Sequence, residues 1–337
     1  MSYCGGLGNL GATCAVNTLI QCITHTTLLR KFFLKNTFDE VSISYQIKDV
    51  LQLIYEKHAT VAPKALLYRL YQLFPNNLHH GEQHDLCELW MLISDKVAEE
   101  IGQPMQPPSK TLEEAPNDLE NKIHHTIYNC NNKKFSPWIK IIQGIQLGIL
   151  QCAKQQCSEK YYNPEIFSTL TVDIQKNATS VPELRDLLLQ FYTIENLDVE
   201  GWKCDKCNEQ VGAKKQIQLL KLPKVLIVVI KRFLMNEHGN FQKIINPVHI
   251  NSELEFTFTN SKCKYVLLSV GNHYGHYNGG HYTANCLYVV DSNETSFTTK
   301  WINYDDENVR EISSNEFLLN NSDAYVLFYE MISETQL

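Results

Sequence analysis

The hydrophobic period of this chain changes once along its length, and that change constrains the fold more than any single motif. Through the first hundred residues, apolar positions recur three and four apart. Val16, Leu19, Ile20 and Ile23 form one stripe, which Cys14 would open as a helix. Ile47, Val50, Leu51 and Ile54 form a second, over about 44–58. Pro63 starts a third, carrying Leu66, Leu67, Leu70 and Phe74. Leu86, Leu89, Trp90, Ile93 and Val97 mark a fourth, over about 83–101. The polar, Pro-rich stretch 103–121 reads as an exposed loop. Beyond it the period falls to two. Alternating or β-branched runs at 216–222, 225–231, 265–271, 281–290, 300–304 and 324–329 read as strands. One more helix is expected after Ser180-Val-Pro-Glu183, which has capping-box spacing, and reaches about Tyr192. Helices first and strands later predict an α+β architecture. There is no internal repeat and no low-complexity tract.

Composition narrows the function classes. The 337 residues are 44% hydrophobic and 20% charged, enough for a large packed core. The net charge of −7 argues against a nucleic-acid footprint, which needs a basic stripe. A mildly acidic surface suits a basic protein partner. The N-terminus lacks a basic segment followed by an apolar one, and the longest strongly apolar run, 225–230, is far too short to span a bilayer. An intracellular, reducing location, cytoplasm or nucleus, is expected. There the 11 cysteines read as core, metal or catalytic residues before disulfides.

Cys14 follows a glycine-rich stretch and heads a helix, where unpaired N–H groups and the helix dipole favour the thiolate. On position alone a buried core cysteine is the commoner outcome. His281 opens a strand that forms a hairpin with 300–304 across the turn residues 291–296. In an antiparallel pair, the start of one strand lies beside the end of the next, so Asp305 and Asp306 fall near His281. A carboxylate there would fix the histidine tautomer. The competing reading is a surface hairpin followed by acidic residues, and the spacing does not choose between the two aspartates. Cys152, Cys157, Cys204 and Cys207 form two pairs, the second with the tight spacing of a metal knuckle and the first at the wide end of normal. They read as a Cys4 zinc site closing two β-ribbons, against four unrelated thiols.

Six segments, taken together and in order, resemble the ubiquitin-specific protease family. They are Gly6-Leu-Gly-Asn-Leu-Gly-Ala-Thr-Cys14 with Asn17 and Gln21, Gln83-His-Asp85-Leu-Cys-Glu88, the strand 222–233, Tyr265 to His273 with Gly279-Gly-His281-Tyr282, Trp301 to Val309, and Ala324 to Tyr329. The resemblance runs from residue 5 to about 330. It implies one catalytic domain over 1–337 with a papain-like fold. A helical thumb would occupy 1–125, fingers with a zinc ribbon 140–225, and a palm mainly 226–337. It further implies a deubiquitinating thiol protease that cleaves after the last glycine of ubiquitin, with Cys14 as nucleophile, His281 as base and Asp305 as its orienting residue. Asn9 would stabilise the oxyanion, with Asp306 in the same polar network. Asp85, Phe233, Tyr282 and His273 would meet the ubiquitin tail. No catalytic cofactor is implied; the partners are ubiquitin and its conjugates, with no nucleic acid and no membrane insertion, and the protein would act as a monomer. Ala12, Ala15 and Val16 replace the family's usual Asn, aromatic and Met or Leu, so altered packing or rate is expected around an intact nucleophile. Two rivals remain: a protease for a ubiquitin-like modifier, and a protein of this fold that binds ubiquitin without cutting it.

Overall fold

The computed structural model describes residues 3–174, 180–198, 202–235, 237, 239–258, 261–277, 279–292 and 296–336. The N-terminal part is helical. α1 (Cys14–His25) starts at Cys14 and is buried throughout. α2 (Thr27–Lys35) follows after a single extended residue, Thr26. α3 (Ile43–Leu51) widens into a π-helical turn at Gln52–Glu56, so the stripe over 44–58 is one helix with a slack last turn. α4 (Lys64–Leu73) takes Pro63 as its N-cap.

α5 (Leu86–Ile101) begins later than the expected residue 83, because the Asp85 carboxylate caps it by accepting the N–H groups of Cys87 and Glu88. Two carboxylates from elsewhere satisfy other helix starts. Glu100 accepts the N–H groups of Ile43 and Ser44 at 2.9 and 3.1 Å, and Glu330 accepts that of Leu28 at 2.8 Å. Each places negative charge at the positive end of a helix, which orders the helices against one another as well as capping them.

The stretch 103–121 departs from the expected loop. It contains β1 (Gln103–Pro104) and the start of α6 (Leu119–Cys130), capped by Asp118. α6 is polar and only half-buried, so it leaves little hydrophobic period to read. β2 (Lys134–Phe135) pairs with β1, and α7 (Pro137–Ile142) follows with Ser136 as cap.

β3 (Gly144–Cys152) and β4 (Lys160–Phe167) form a hairpin. The chain then crosses to the larger sheet as β5 (Leu170–Asp173) and α8 (Leu184–Gln190). The capping box at Ser180 does not form. Glu183 instead accepts from Asn251 Nδ2 at 3.2 Å and pairs with Arg185, while His249 O and Asn251 Oδ1 take the first N–H groups of α8. β6 (Glu195–Leu197) and β7 (Ala213–Lys221) complete a four-stranded sheet in the order β4-β3-β7-β6.

The remainder builds an eight-stranded sheet. β8 (Val225–Lys231) is followed by a small hairpin of β9 (Phe233–Met235) and β10 (Phe241–Lys243). Next come β11 (Glu253–Phe258), β12 (Ser261–His276), β13 (Gly279–Ser292), β14 (Ser296–Asp305), β15 (Asn308–Ile312) and β16 (Ala324–Gln336). The sheet order is β15-β14-β13-β12-β16-β8-β5, with β11 also on β12. The last strand therefore lies in the middle. The tip of the β13–β14 turn, 293–295, lies outside the described residues.

Both faces of the sheet are covered, which explains why β8 reads as a continuous apolar run. Val225, Ile227 and Val229 pack under the helical lobe, and Leu226, Val228 and Ile230 pack under α8. No helix among the described residues is long and apolar enough to cross a membrane.

Arg232, just past β8, is fully buried. Its guanidinium donates to the carbonyls of Ala324, Ile244, Asn246 and Asn321 at 2.6, 3.1, 3.0 and 2.9 Å. Burial lowers its pKa to about 10, so it remains charged at neutral pH. One side chain thus ties the start of β16 to the segments at 244–246 and 321, where the Asn321 carbonyl also accepts from Val248 N. Arg232→Met should remove all four of these bonds and cost about 3 kcal/mol or more, with Arg232→Lys intermediate. Urea denaturation of the three proteins checks this, and a midpoint for Arg232→Met equal to that of the native chain would refute it.

Candidate active site

The loop before α1 is folded by Asn9. Its Oδ1 accepts from Gly11 N, Thr13 N and Thr13 Oγ1 at 3.0, 3.2 and 3.3 Å. Its Nδ2 donates to Asp306 Oδ2 at 2.8 Å. Asn17 Nδ2, one turn into α1, donates to Asp306 Oδ1 at 2.8 Å, and Leu7 N donates to the Asp306 carbonyl at 2.9 Å. Gly6 runs so close to the β14–β15 turn that a Cβ there would lie 2.5 Å from the Glu307 carbonyl.

Cys14 is buried at the head of α1. Burial pushes its thiol up from the ordinary value. The backbone N–H groups of Tyr282, Ala15 and Cys14 itself pull the other way, and the Asp306 charge reinforces the rise. The net direction is up, so the resting sulfur is a thiol. Among the described residues it makes no hydrogen bond to His281. His281 lies near the start of β13, and its Nε2 is 2.6 Å from Asp305 Oδ1. The register pairs Ala284 with Tyr304, which places Asp305 diagonally from His281. Nδ1 is therefore the ring nitrogen left to exchange a proton. Asp306, at a φ of 52° in the turn after β14, faces Asn9 and Asn17 instead. The two aspartates, between which the spacing alone did not choose, thus have separate partners.

The four residues expected to meet a substrate tail gather beside this centre. The Phe233 and His273 rings meet edge-on at 5.1 Å, and His273 lies 4.7 Å from the Tyr282 ring. Burial, with Lys243 beside it, drives His273 down to about 4, so it is neutral at pH 7. Asp85 Oδ2 accepts from Tyr325 O–H at 2.8 Å and lies 3.5 Å from Tyr282 O–H. Sequence reasoning assigned no role to Tyr325, Asn17 or Gln83, although all three lie in the quoted segments. Gln83 bonds both backbone groups of Gly280, next to His281.

The four cysteines converge at the far end of the four-stranded sheet. Their sulfurs all lie within 4.8 Å of one another, with Cys157–Cys204 at 3.6 Å and Cys152–Cys207 at 4.0 Å. Sulfurs bound tetrahedrally to zinc at about 2.3 Å are about 3.8 Å apart, so the cluster has the right size for that metal. The wide spacing of the first pair is absorbed locally. In both knuckles the first cysteine N–H reaches the carbonyl two residues past the second cysteine, Cys152 to Glu159 and Cys204 to Glu209, through a left-handed residue, Ser158 or Asn208. Lys154 of one knuckle pairs with Glu209 of the other, and Lys206 with Glu159. The cluster could hold a metal ion.

A family model described as ubiquitin carboxyl-terminal hydrolase matches residues 5–329. Ubiquitin carboxyl-terminal hydrolase 4 of Candida glabrata is 27% identical over 378 residues, covering 98% of this chain and 41% of the relative. Human ubiquitin carboxyl-terminal hydrolase 21 is 26% identical over 364 residues, covering 98% and 62%. The chain thus spans about two-fifths of the length of the yeast relatives it matches. The SAGA Ubp8/Sgf11/Sus1/Sgf73 DUB module bound to ubiquitin aldehyde contains a chain of the same fold, with a TM-score of 0.74 at 20% identity, covering 98% of this chain and 70% of that one. The fold is accordingly the α+β, papain-like arrangement: the helical lobe is the thumb, the four-stranded sheet the fingers and the eight-stranded sheet the palm.

The loop before Cys14 carries a local strain. Ala12, two residues before Cys14, has a φ of 55°. A Cβ is disfavoured there by roughly 1 kcal/mol, while glycine and asparagine tolerate it better. Ala12→Gly and Ala12→Asn should each raise stability by about 0.5–1 kcal/mol. A urea midpoint that rises at constant slope shows this. A lower midpoint for both variants would show that Ala12 is not strained.

Proposed function

The chain belongs to the ubiquitin carboxyl-terminal hydrolase family, and from that premise we propose that it is a thiol protease that hydrolyses the bond after the C-terminal glycine of ubiquitin. The observation that carries this reading is the 2.6 Å His281–Asp305 pair, one residue from Tyr282, whose N–H lowers the pKa of the buried Cys14. Cys14 Sγ attacks the glycine carbonyl carbon. Its proton passes to His281 Nδ1 as the carbon–sulfur bond forms, and His281 returns it to the leaving lysine amine. Asp305 holds Nε2–H and stabilises the imidazolium. Water then cleaves the thioester, with His281 taking its proton, and the thiol is restored.

Negative charge on the carbonyl oxygen is met by the Cys14 N–H and by the Asn9 Nδ2 hydrogen that Asp306 does not take. Such a preorganised donor contributes about 3 kcal/mol. Asp85, Phe233, His273 and Tyr282 line the channel for the tail, whose closing glycines fit between rings that exclude larger side chains. The whole chain is one catalytic domain, with the thumb over 1–125, the fingers over 140–225 and the palm mainly over 226–337; within the fingers range, β5 and α8 cross to the palm. It acts inside the cell as a monomer on ubiquitin and its conjugates.

Incubation with C-terminally activated ubiquitin should give a covalent adduct on Cys14. Cys14→Ala should form none and cleave no conjugate, yet still bind ubiquitin, because the thiol contributes little contact area. Faster labelling by an activated ubiquitin-like modifier would reassign the substrate, and binding without labelling would make the native chain a non-catalytic ubiquitin receptor.

The cysteine cluster is proposed to hold zinc through Cys152, Cys157, Cys204 and Cys207. The metal takes no part in the reaction; it closes the fingers, where binding and folding are coupled. Elemental analysis should find about one zinc per chain, and chelation should lower the melting temperature. A metal-free preparation with unchanged melting and full activity would overturn the site.

A further inference from the structure

We propose that Gln83 is a positioning residue that holds His281 in register with Cys14 by gripping the peptide group next to the histidine. The inference rests on the thiol-protease reading above and adds how the base is kept in place. Gln83 is exposed, in the thumb segment just before α5. Its Nε2 donates to Gly280 O at 2.6 Å, and Gly280 N donates to its Oε1 at 2.9 Å. A primary amide is one of the few side-chain groups that offers a donor and an acceptor in one plane, so the pair fixes both distance and orientation. The two residues are 197 positions apart and join the lobe that carries the nucleophile to the sheet that carries the base.

The need for such a grip lies in the backbone. β13 begins with Gly279 and Gly280, and Gly280 pairs with Gly275, itself at a φ of 97°. Glycine has the most conformational freedom to lose, so the chain just before His281 is poorly constrained by its own residues. Gly280 cannot carry a side chain instead, because a Cβ there would lie 2.1 Å from His273 Nε2. Its peptide is therefore backed by the His273 ring and gripped by Gln83. On the other side of His281, Tyr282 O–H approaches Asp85 Oδ2 at 3.5 Å, a weaker second hold. Asp85 itself is anchored as the cap of α5. Thumb residues 83 and 85 thus address residues 280 and 282, one on each side of the base.

Proton transfer from Cys14 to His281 needs a separation of about 3 Å, and a displacement of about 1 Å costs on the order of 100-fold in rate. The test uses the full chain with Gln83→Met, which keeps length and removes both bonds, and Gln83→Glu, which keeps only the acceptor for Gly280 N–H. His281→Ala is the reference. The rate of Cys14 alkylation by iodoacetamide is followed across pH by mass spectrometry of the Cys14 peptide. This reagent does not use the tail channel, so a tail-binding role for Gln83 would not move the result. At neutral pH the native chain should alkylate faster than His281→Ala, in which no imidazole can take the thiol proton. Gln83→Met should lose most of that reactivity, with Gln83→Glu between. On a fluorogenic ubiquitin substrate, kcat should fall about 10- to 100-fold while KM changes less than about threefold. A Gln83→Met alkylation profile matching the native one overturns the inference alone. A native profile matching His281→Ala overturns the cysteine–histidine reading and the inference with it.

Discussion

The Asp306 carboxylate accepts from Asn9 and Asn17 at 2.8 Å each, and its carbonyl accepts from Leu7. Those three bonds join the thumb to the end of β14, one residue from the partner of His281. They set where α1 begins relative to the catalytic hairpin, and so where Cys14 sits. Charge-assisted bonds of this kind are shorter and stronger than neutral ones. Both carboxylate oxygens are used, which leaves Asp306 little freedom to replace Asp305 at the imidazole. The division of labour between adjacent aspartates follows from backbone geometry: Asp305 ends a strand, and Asp306, at a positive φ, stays within 4.8 Å of the His281–Asp305 pair but gives its hydrogen bonds to Asn9 and Asn17.

That junction is only as firm as the sheet behind it. β16 closes the palm from its middle, and its neighbour β8 presents one face to the thumb core and the other to α8. A strand buried on both faces cannot slip by one residue without exchanging its two cores, so the register is strongly specified. Arg232 extends the same rigidity past the end of β8 by bonding the carbonyls of Ala324, at the start of β16, and of Asn321 just before it. The active-site loops therefore project from a platform that resists displacement.

Elements with a strong period were legible in sequence. β8 was expected over 225–231 and is observed there, and α1, α3, α4 and α5 follow their apolar stripes. Elements whose stability comes from partners were not. α6 is polar, and α2 is separated from α1 only by Thr26. β3, β4 and β5 went unseen, since β3 and β4 alternate weakly and β5 has only four residues. At Ser180 a local motif lost to tertiary bonds from Asn251 and His249. At the site, the expected hairpin brings His281 to Asp305, as the antiparallel register predicted. The spacing alone did not separate Asp305 from Asp306, which the family resemblance did, and the two-bond contact of Gln83 required knowing which backbone it faces.

The electrostatics of Cys14 fit the geometry of the resting site. A helix N-terminus and three nearby N–H groups favour a thiolate, while burial and the Asp306 charge oppose it more strongly. His281 is held by Asp305 at Nε2 and makes no bond to the sulfur. In the proposed reaction, the nucleophile is generated when imidazole and thiol are brought within transfer distance. The same N–H groups that fail to ionise the resting thiol are well placed to stabilise the negative charge that develops as its proton leaves. The carboxylate of Asp306 opposes that charge. Its two hydrogen bonds to Asn9 and Asn17 draw its charge away from the sulfur. Asn9, one of those donors, in turn directs its remaining N–H by the same bond. The contact that assembles the thumb on the palm thereby also tempers the one nearby charge that works against the reaction.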